Sequence, residues 1–404
     1  MTDIKDLTDY CLSCPNPLCQ KGCPVGNHIR DFIAFLKNND LEKAGDTLYA
    51  VNPYPELTSR LCDCARQCQG HCVRGIKSNP VQIQSIERYI SDNQKRITVP
   101  GTSNHHTVAM IGAGPANLAA ARYLLIKGCT VTIYDRLESA GGAILSGIPS
   151  YRFDKQYLAD IQRELTDAGA VFHFSTEVGK DISFDEILQS YDRVLISCGA
   201  QIEGKNGLDG DGCEAGLSLL YQLNILNKQN EYKEKYHSAL VWGGGNVAMD
   251  CARSLKRILN DVTVIYRRSE KEMPAAADEI EAAKQEGVHF AFLENIKELH
   301  HDAEGKVTGA HCIKMHLGEP DASGRARPIE TEGSDYDIPC ELVVPAIGQK
   351  VSFTAFDNIE KTDTHLSSAK HVYISGDAYL NPSTVAAAIK DGCDAAAEID
   401  ASFH

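Results

Sequence analysis

Two stretches of this chain share one pattern, and that pattern restricts the fold more than anything else in it. VAMIGAGPANLAAARYLLIKGCTVTIYD starts at Val108, and ALVWGGGNVAMDCARSLKRILNDVTVIYRR starts at Ala239. Each runs from a short apolar segment through a glycine turn into a helical pattern, then to a β-branched segment. A strand that feeds a helix and returns as a parallel strand is the building unit of an α/β sheet. RVLISCGA (193–200), ELVVPAIGQ (341–349) and HVYISGDA (371–378) read as further strands, and STVAAAIKDGCDAAAEI as a closing helix. A helical stretch falls around 214–234. NIKELHHDAEGKVTGAHCIKMHL reads as antiparallel strands turning at Glu304 and Gly305. The second glycine unit lies before the closing strands, so the second dinucleotide-type fold reads as an insertion into the first.

The turns carry chemistry. In Gly112-Ala113-Gly114-Pro115-Ala116-Asn117 the first glycine allows the tight turn. The second lets backbone approach a pyrophosphate at the helix N-terminus. The usual third glycine, which allows close helix–strand packing, is here Asn117. Asp135, at the end of the next strand, stands where an acid binds a ribose hydroxyl. The alternative is a merely structural turn. In the second turn, Gly243-Gly244-Gly245-Asn246-Val247-Ala248, alanine takes the third position, a tolerated variant. Its following strand ends in Arg267-Arg268, not an acid. Two guanidinium groups there would bind a 2′-phosphate, predicting NADP over NAD; the alternative is a solvated basic strand end. Near the C-terminal end, Gly376 and Asp377 follow a strand, and Ser383, Thr384 and Val385 open a helix. An acid there can bond a ribityl hydroxyl, and a helix N-terminus can stabilise charge on a reduced flavin. These pieces point to flavin at the first turn.

Residues 1 to about 100 form a separate helical region. HIRDFIAFL and LEKAGDTLYAV have helical spacing, NPYP (52–55) stops the second, and Ile83, Ile86 and Ile90 share one face. TVPGTSNHHT (98–107) reads as a linker. Eight of the fifteen cysteines lie in this region: Cys11, Cys14, Cys19, Cys23, Cys62, Cys64, Cys68 and Cys72. The other seven are scattered singly and read as small buried residues. The N-terminal MTDIKDLTDY does not read as a secretory signal and no apolar run reaches about 18 residues, so a cytoplasmic chain is expected, where disulfides are rare. Net charge of −15 argues against nucleic acid or an anionic membrane as partner. The spacing C-x₂-C-x₄-C-x₃-C-P, then C-x-C-x₃-C-x₃-C, is a poorer zinc pattern than an iron–sulfur one. Zinc and simple packing stay as alternatives.

Taken together, the cysteine array, GAGPANLAAA, GGNVAMD, YRRSEKEMPA and the terminal GDA…STVAAAI resemble the small (beta) subunit of NADPH-dependent glutamate synthase. The resemblance extends from about residue 8 to 400, and to the flavin module of dihydropyrimidine dehydrogenase and a ferredoxin:NADP oxidoreductase subunit. It implies an α/β protein with an all-helical iron–sulfur domain followed by two Rossmann-like domains of the glutathione-reductase type. The expected limits are 1–100 for the iron–sulfur domain, 101–225 with 340–404 for the FAD domain, and 226–339 for the NADP(H) domain. The implied cofactors are FAD, NADP(H) and two [4Fe–4S] clusters.

By the same resemblance, Cys11, Cys14, Cys19 and Cys72 ligate one cluster; Cys23, Cys62, Cys68 and Glu87 ligate the other. This leaves Cys64 over, whereas a count of thiols alone would use Cys64 and omit Glu87. GGAILSGIPSYR (141–152), with Gly142 and Arg152, is expected beneath the flavin, and AIGQ (346–349) near its ring system. Glu272 and Glu279 read as helix-surface charges. The nucleotide domains hold no C-x-x-C, which excludes a thioredoxin-reductase dithiol. No protein acid or base is required, because the cofactors carry the chemistry. The expected partner is a larger subunit that accepts electrons, such as the glutamate synthase large subunit, or a ferredoxin. A cluster-bearing redox sensor or scaffold is the non-enzymatic rival.

Overall fold

The computed structural model describes residues 4–321 and 324–404. Residues 1–3 of the expected helical domain lie outside the described residues. The chain divides into two compact units. The first takes in the residues up to Ile144, Phe153–Gln201 and Val351–His404; the second takes in Leu145–Arg152 and Ile202–Lys350.

The first unit opens with short helices. Ile29–Lys37, Leu41–Tyr49, Pro55–Leu61 and Ile83–Asn93 are the longer ones. Asp40 caps the second of these through the Lys43 amide at 3.0 Å. NPYP does two things, since the helix before it ends at Tyr49 and Pro55 is the first residue of the next. Ile83, Ile86 and Ile90 turn inward with Ile29, Phe32, Ile33 and Leu48, and Cys64 and Cys68 belong to the same core.

The helical region is bound to the α/β part of its unit by specific bonds. The Tyr54 hydroxyl donates to the Leu118 carbonyl at 3.1 Å. Arg122 donates to the Pro53 carbonyl at 2.7 Å and the Arg96 carbonyl at 3.2 Å, and lies 3.5 Å from Glu164. The expected linker is not loose, because the Gly101 and Asn104 amides bond to the Leu125 and Gly128 carbonyls.

The first unit's sheet has five parallel strands, in spatial order Val372–Ile374, Arg193–Ile196, Thr107–Ile111, Thr130–Tyr134 and Val171–His173. Its register pairs Met110 with both Ile133 and Leu195, and Val194 with Val372. The near-continuous burial of the three central strands is that of a sheet covered on both faces. Helix Pro115–Ile126 leaves the first glycine turn and packs against the closing helix Val385–Ala401. A Cβ on Gly392 of that helix would stand 2.1 Å from the Ala116 carbonyl oxygen, so the two helices approach closely there.

The second unit has a four-stranded parallel sheet in the order Leu342–Pro345, Ser238–Trp242, Asp261–Tyr266, His289–Phe292. Val307–Pro320 pairs antiparallel with Glu294–His301, Ala326–Glu330 and Tyr336–Pro339. Gly305 turns the hairpin with a φ of +82°. The helical stretch near 214–234 is two helices, Gly216–Asn224 and Gln229–Lys235.

The unit limits differ from the expected 225 and 340. Leu342–Pro345 is a strand of the second sheet and Gly216–Asn224 packs on helix Asn246–Lys256, so both belong with the second turn. Among the described residues, no helix is long and apolar enough to cross a membrane.

Candidate functional site

The thiols gather in the helical region. Cys11, Cys14, Cys19 and Cys72 line one pocket with Ile29, Ile33, Val81 and Ile83. Burial, with Cys72 and Cys11 nearby, pushes the Cys19 thiol up to about 12. Cys64 lies within hydrogen-bond reach of both Cys62 and Cys68, and Glu87 faces Cys23, Cys62, Cys64 and Cys68. Burial raises the Cys23 thiol, and the bond from Cys62 together with burial raises that of Cys64.

Glu87 is buried in the core. Its Oε1 accepts the Thr58 hydroxyl at 2.5 Å and the Asn52 amide at 3.2 Å. Burial pushes its carboxyl up to about 7, although Thr58 and Asn27 pull it down. Among the described residues no cation pairs with it. A buried carboxylate facing a group of thiols asks for a positive centre, since an unpaired buried charge is costly. Soft sulfur donors in this number suit an iron–sulfur cluster. The residues present therefore fit the group that the spacing suggested. Both Glu87 and Cys64 stand at the second set.

The first glycine turn is built as a cradle. Gly112 has a φ of +98°, and a Cβ there would meet the Ser197 carbonyl oxygen at 2.6 Å. Gly114 caps helix Pro115–Ile126, with Pro115 in its first turn and open space where a Cβ would stand. Gly142 comes against Gly114, and Gly376, with a φ of +63°, comes against Ala116. Thr384 caps the closing helix by accepting the Ala387 amide at 3.2 Å, and Val385 begins it. The free backbone, the helix terminus and these converging loops fit a bound dinucleotide.

Asn117 is more than a tolerated departure. Its Nδ2 donates to the Gly112 carbonyl at 2.7 Å and the Ile111 carbonyl at 3.1 Å. Its Oδ1 accepts the Ser197 hydroxyl at 2.8 Å, and Ser197 in turn bonds Ser375. The side chain thus ties the ends of three strands. The close helix approach that a glycine usually provides here is supplied from the other side by Gly392.

Asp135 places one oxygen on the Ala113 amide at 2.5 Å and the other on the Leu137 amide at 2.7 Å, and burial raises its carboxyl. It braces the turn from below. Asp377 accepts the Ser383 amide at 3.0 Å and the Ser383 hydroxyl at 2.7 Å.

The second turn repeats the design. Gly243, with a φ of +151°, lies against the Ala346 carbonyl oxygen, and the Tyr266 ring fills the space where a Cβ on Gly244 would be. Gly245 caps helix Asn246–Lys256 and faces open space. Asn246 accepts the Ala276 amide at 2.9 Å, drawing the segment after Met273 to the turn, and Val247 is half-buried beside it. This turn likewise fits a dinucleotide.

Three expectations need correction. Arg267 is exposed at the strand end, but Arg268 is only 4% exposed. The Arg268 guanidinium donates to the Ala326 carbonyl at 2.8 Å and to Asp321 at 2.6 Å, so it is committed to those two partners. Arg152, expected at the flavin, belongs to the second unit. It holds Asp250 at 2.6 and 2.7 Å and Glu279 at 2.7 Å. Glu279 is accordingly no surface charge, since it also bonds Arg253, while Glu272 closes a capping box with Ser269. AIGQ begins at Ala346, against the second turn. Sequence reasoning missed this Arg152–Asp250–Glu279–Arg253 network; Asp250 and Arg253 share one helix, but Arg152 comes from 98 positions before Asp250 and Glu279 from 26 positions after Arg253.

Comparison with known proteins agrees with this layout. Residues 2–99 match the family model of dihydropyrimidine dehydrogenase domain II, 4Fe-4S cluster, and residues 106–392 match that of pyridine nucleotide-disulphide oxidoreductase. A protein of Escherichia coli (strain K12) named as an oxidoreductase, AegA, is 36% identical over 84% of this chain. The chain spans only about half of it, 54% of its length. The glutamate synthase [NADPH] small chain of Azospirillum brasilense is 33% identical over 97% of this chain and 87% of its own. A structure of Mycobacterium tuberculosis FprA in complex with NADPH shares the fold, with a TM-score of 0.63 and 19% identity. The alignment covers 74% of this chain and 84% of that one. The chain therefore belongs to the pyridine nucleotide-disulphide oxidoreductases with an N-terminal 4Fe-4S domain, the family of the glutamate synthase small chains.

Proposed function

We propose that the chain is the electron-input subunit of a larger enzyme, most closely a glutamate synthase, drawing on NADPH and serving a partner protein. The observation that carries this reading is the placement of both thiol sets in the same compact unit as the first glycine turn. When bound, FAD takes two electrons as hydride from NADPH, and iron–sulfur clusters pass electrons singly.

The chain's own residues supply position and shielding. Cys11, Cys14, Cys19 and Cys72 would hold one cluster, with Ile29, Ile33, Val81 and Ile83 keeping water from it. Cys23, Cys62, Cys68 and Glu87 would hold the second. The helix N-terminus at Gly114 would receive the FAD pyrophosphate, and that at Gly245 the NADPH pyrophosphate, through free amides and the helix dipole. Gly142, Gly376, Asp377, Thr384 and Val385 would border the flavin. Arg267 would meet the 2′-phosphate.

The match of residues 2–99 to a dihydropyrimidine dehydrogenase domain supports a second reading, a flavin subunit for a pyrimidine-reducing or ferredoxin-linked partner. Anaerobic isolation from the native cell tests both. The main reading expects stoichiometric iron, sulfide and flavin and an amidotransferase-type large subunit. A dihydropyrimidine-type barrel would favour the second. Flavin without iron and sulfide would overturn both, and failure to oxidise NADPH with an artificial dye would leave the sensor or scaffold. Cys14→Ala is expected to lower iron and sulfide while flavin reduction by NADPH persists.

A further inference from the structure

The antiparallel sheet of the second unit carries a group of side chains that the redox chemistry does not use. Val307–Pro320 runs between Glu294–His301 and Tyr336–Pro339. His311 stands directly opposite Asp337, and His300 directly opposite Gly309. Residues two apart on a strand share a face, so both histidines and the aspartate lie on one side of the sheet.

The His300 ring lies over Gly309 of the middle strand: a Cβ built there would stand 3.5 Å from His300 Cδ2, in ordinary van der Waals contact. His300 Nε2 reaches Asp337 Oδ1 at 2.8 Å, and His311 Nδ1 reaches the same oxygen at 2.8 Å. Two imidazole nitrogens and a carboxylate thus converge, with the three ligand atoms within 4.8 Å of one another.

The other nitrogen of His311 supports a metal reading separately. Its Nε2 lies 3.3 Å from Asp335. A histidine that ligates through one nitrogen and gives its remaining N–H to a carboxylate is the arrangement that orients metal-bound imidazole and raises its basicity. Asp335 would serve as that orienting partner. Imidazole and carboxylate together select a borderline divalent ion such as zinc, whereas calcium and magnesium prefer oxygen alone.

We propose that His300, His311 and Asp337 form a surface site for a divalent transition-metal ion, zinc in the first instance, with Asp335 orienting His311. The site is independent of the reading of the chain as an electron-input subunit. Three protein ligands leave a fourth position to water or to a donor from outside the chain. The site binds as a unit, because register fixes all three ligands on one rigid sheet.

Zinc binding to the full-length protein, loaded with flavin and clusters and kept anaerobic, tests this. Zinc is titrated, excess removed by gel filtration, and zinc, iron and flavin counted together. Wild type is expected to retain one more zinc than His311→Ala at unchanged iron and flavin, with affinity falling at least tenfold in His311→Ala and Asp337→Asn. His300→Gln, on the neighbouring strand, gives the same readout should a substitution at His311 or Asp337 disturb the sheet. X-ray absorption at the zinc edge should show only nitrogen and oxygen neighbours, at about 2.0–2.1 Å. Equal zinc in wild type and all three variants, or sulfur in the zinc shell, would overturn the proposal.

Discussion

His365 Nε2 lies 3.1 Å from one oxygen of Asp391, whose other oxygen accepts the Gly376 amide at 2.7 Å. The ring's Nδ1 lies 2.8 Å from Glu398. A buried ion pair thus holds the turn that brings Gly376 and Asp377 to the first dinucleotide cradle. Burial alone would lower the basicity of His365, but Asp391 and Glu398 outweigh it and raise its pKa above the ordinary 6.5. The fold therefore favours the protonated ring. Its contribution is complete below about pH 6.5 and fades as pH rises through the raised value. His365→Asn should lower Tm by about 2–4 °C at pH 6 and by clearly less at pH 9, with weaker flavin retention. Thermal unfolding at the two pH values decides it; equal losses would mean a neutral ring.

Arg267 and Arg268 are neighbours with different duties. Arg267→Ala should lower the NADPH-to-NADH efficiency ratio by roughly tenfold or more, the worth of a charge-assisted bond to phosphate. Arg268→Ala should leave that ratio alone and reduce stability, because its fork is spent on Asp321 and the Ala326 carbonyl. Steady-state kinetics with both nucleotides separates the two, and an equal shift in ratio would contradict the assignment.

Glu56 is a half-buried acid whose Oε2 is itself buried and has no hydrogen-bond partner. Burial pushes its carboxyl up to about 7 from 4.5. An acid raised in the fold contributes its stability below the unfolded value and loses it as pH climbs through the folded one. Glu56→Gln should match wild type near pH 5 and exceed it above pH 7, by on the order of 2–3 kcal/mol at most. Denaturant melts at pH 5 and pH 8 check this; no gain at pH 8 would mean the charge finds a partner.

Restoring the customary glycine should not help the first turn. Asn117→Gly removes the bonds to the Ile111 and Gly112 carbonyls and to Ser197 and adds a helix glycine. The expected cost is about 2–4 kcal/mol, with faster loss of flavin. Thermal melts and flavin content after dilution read the result. A more stable variant would show that the tie is dispensable.

The strand–turn–helix units and the helical region were legible because their signals are local: alternation, glycine turns and apolar spacing act within a few residues. The first thiol set was implied by the resemblance and not by spacing: three of its four members sit within nine positions of one another, but Cys72, which lines the same pocket, lies far along the chain. What could not be read depends on distant partners. Arg152 finds Asp250 across 98 positions, and Arg268 finds Asp321 across 53. A guanidinium at a strand end looks the same in sequence whether it awaits a phosphate or is already held. Asn117 reads as a weakened fingerprint until Ser197 is seen to complete it.

The insertion of one sheet within another governs the order in which this molecule can be made. Every strand of the second unit's parallel sheet lies between Ser238 and Pro345. The first unit's sheet needs Val372–Ile374, which pairs with Arg193–Ile196 from far earlier in the chain. On the ribosome the inner sheet is therefore complete while the outer one still lacks an edge. Its open Arg193–Ile196 strand must wait, unpaired on that side, until the closing segment emerges, and that interval is when the nascent chain is most exposed to aggregation.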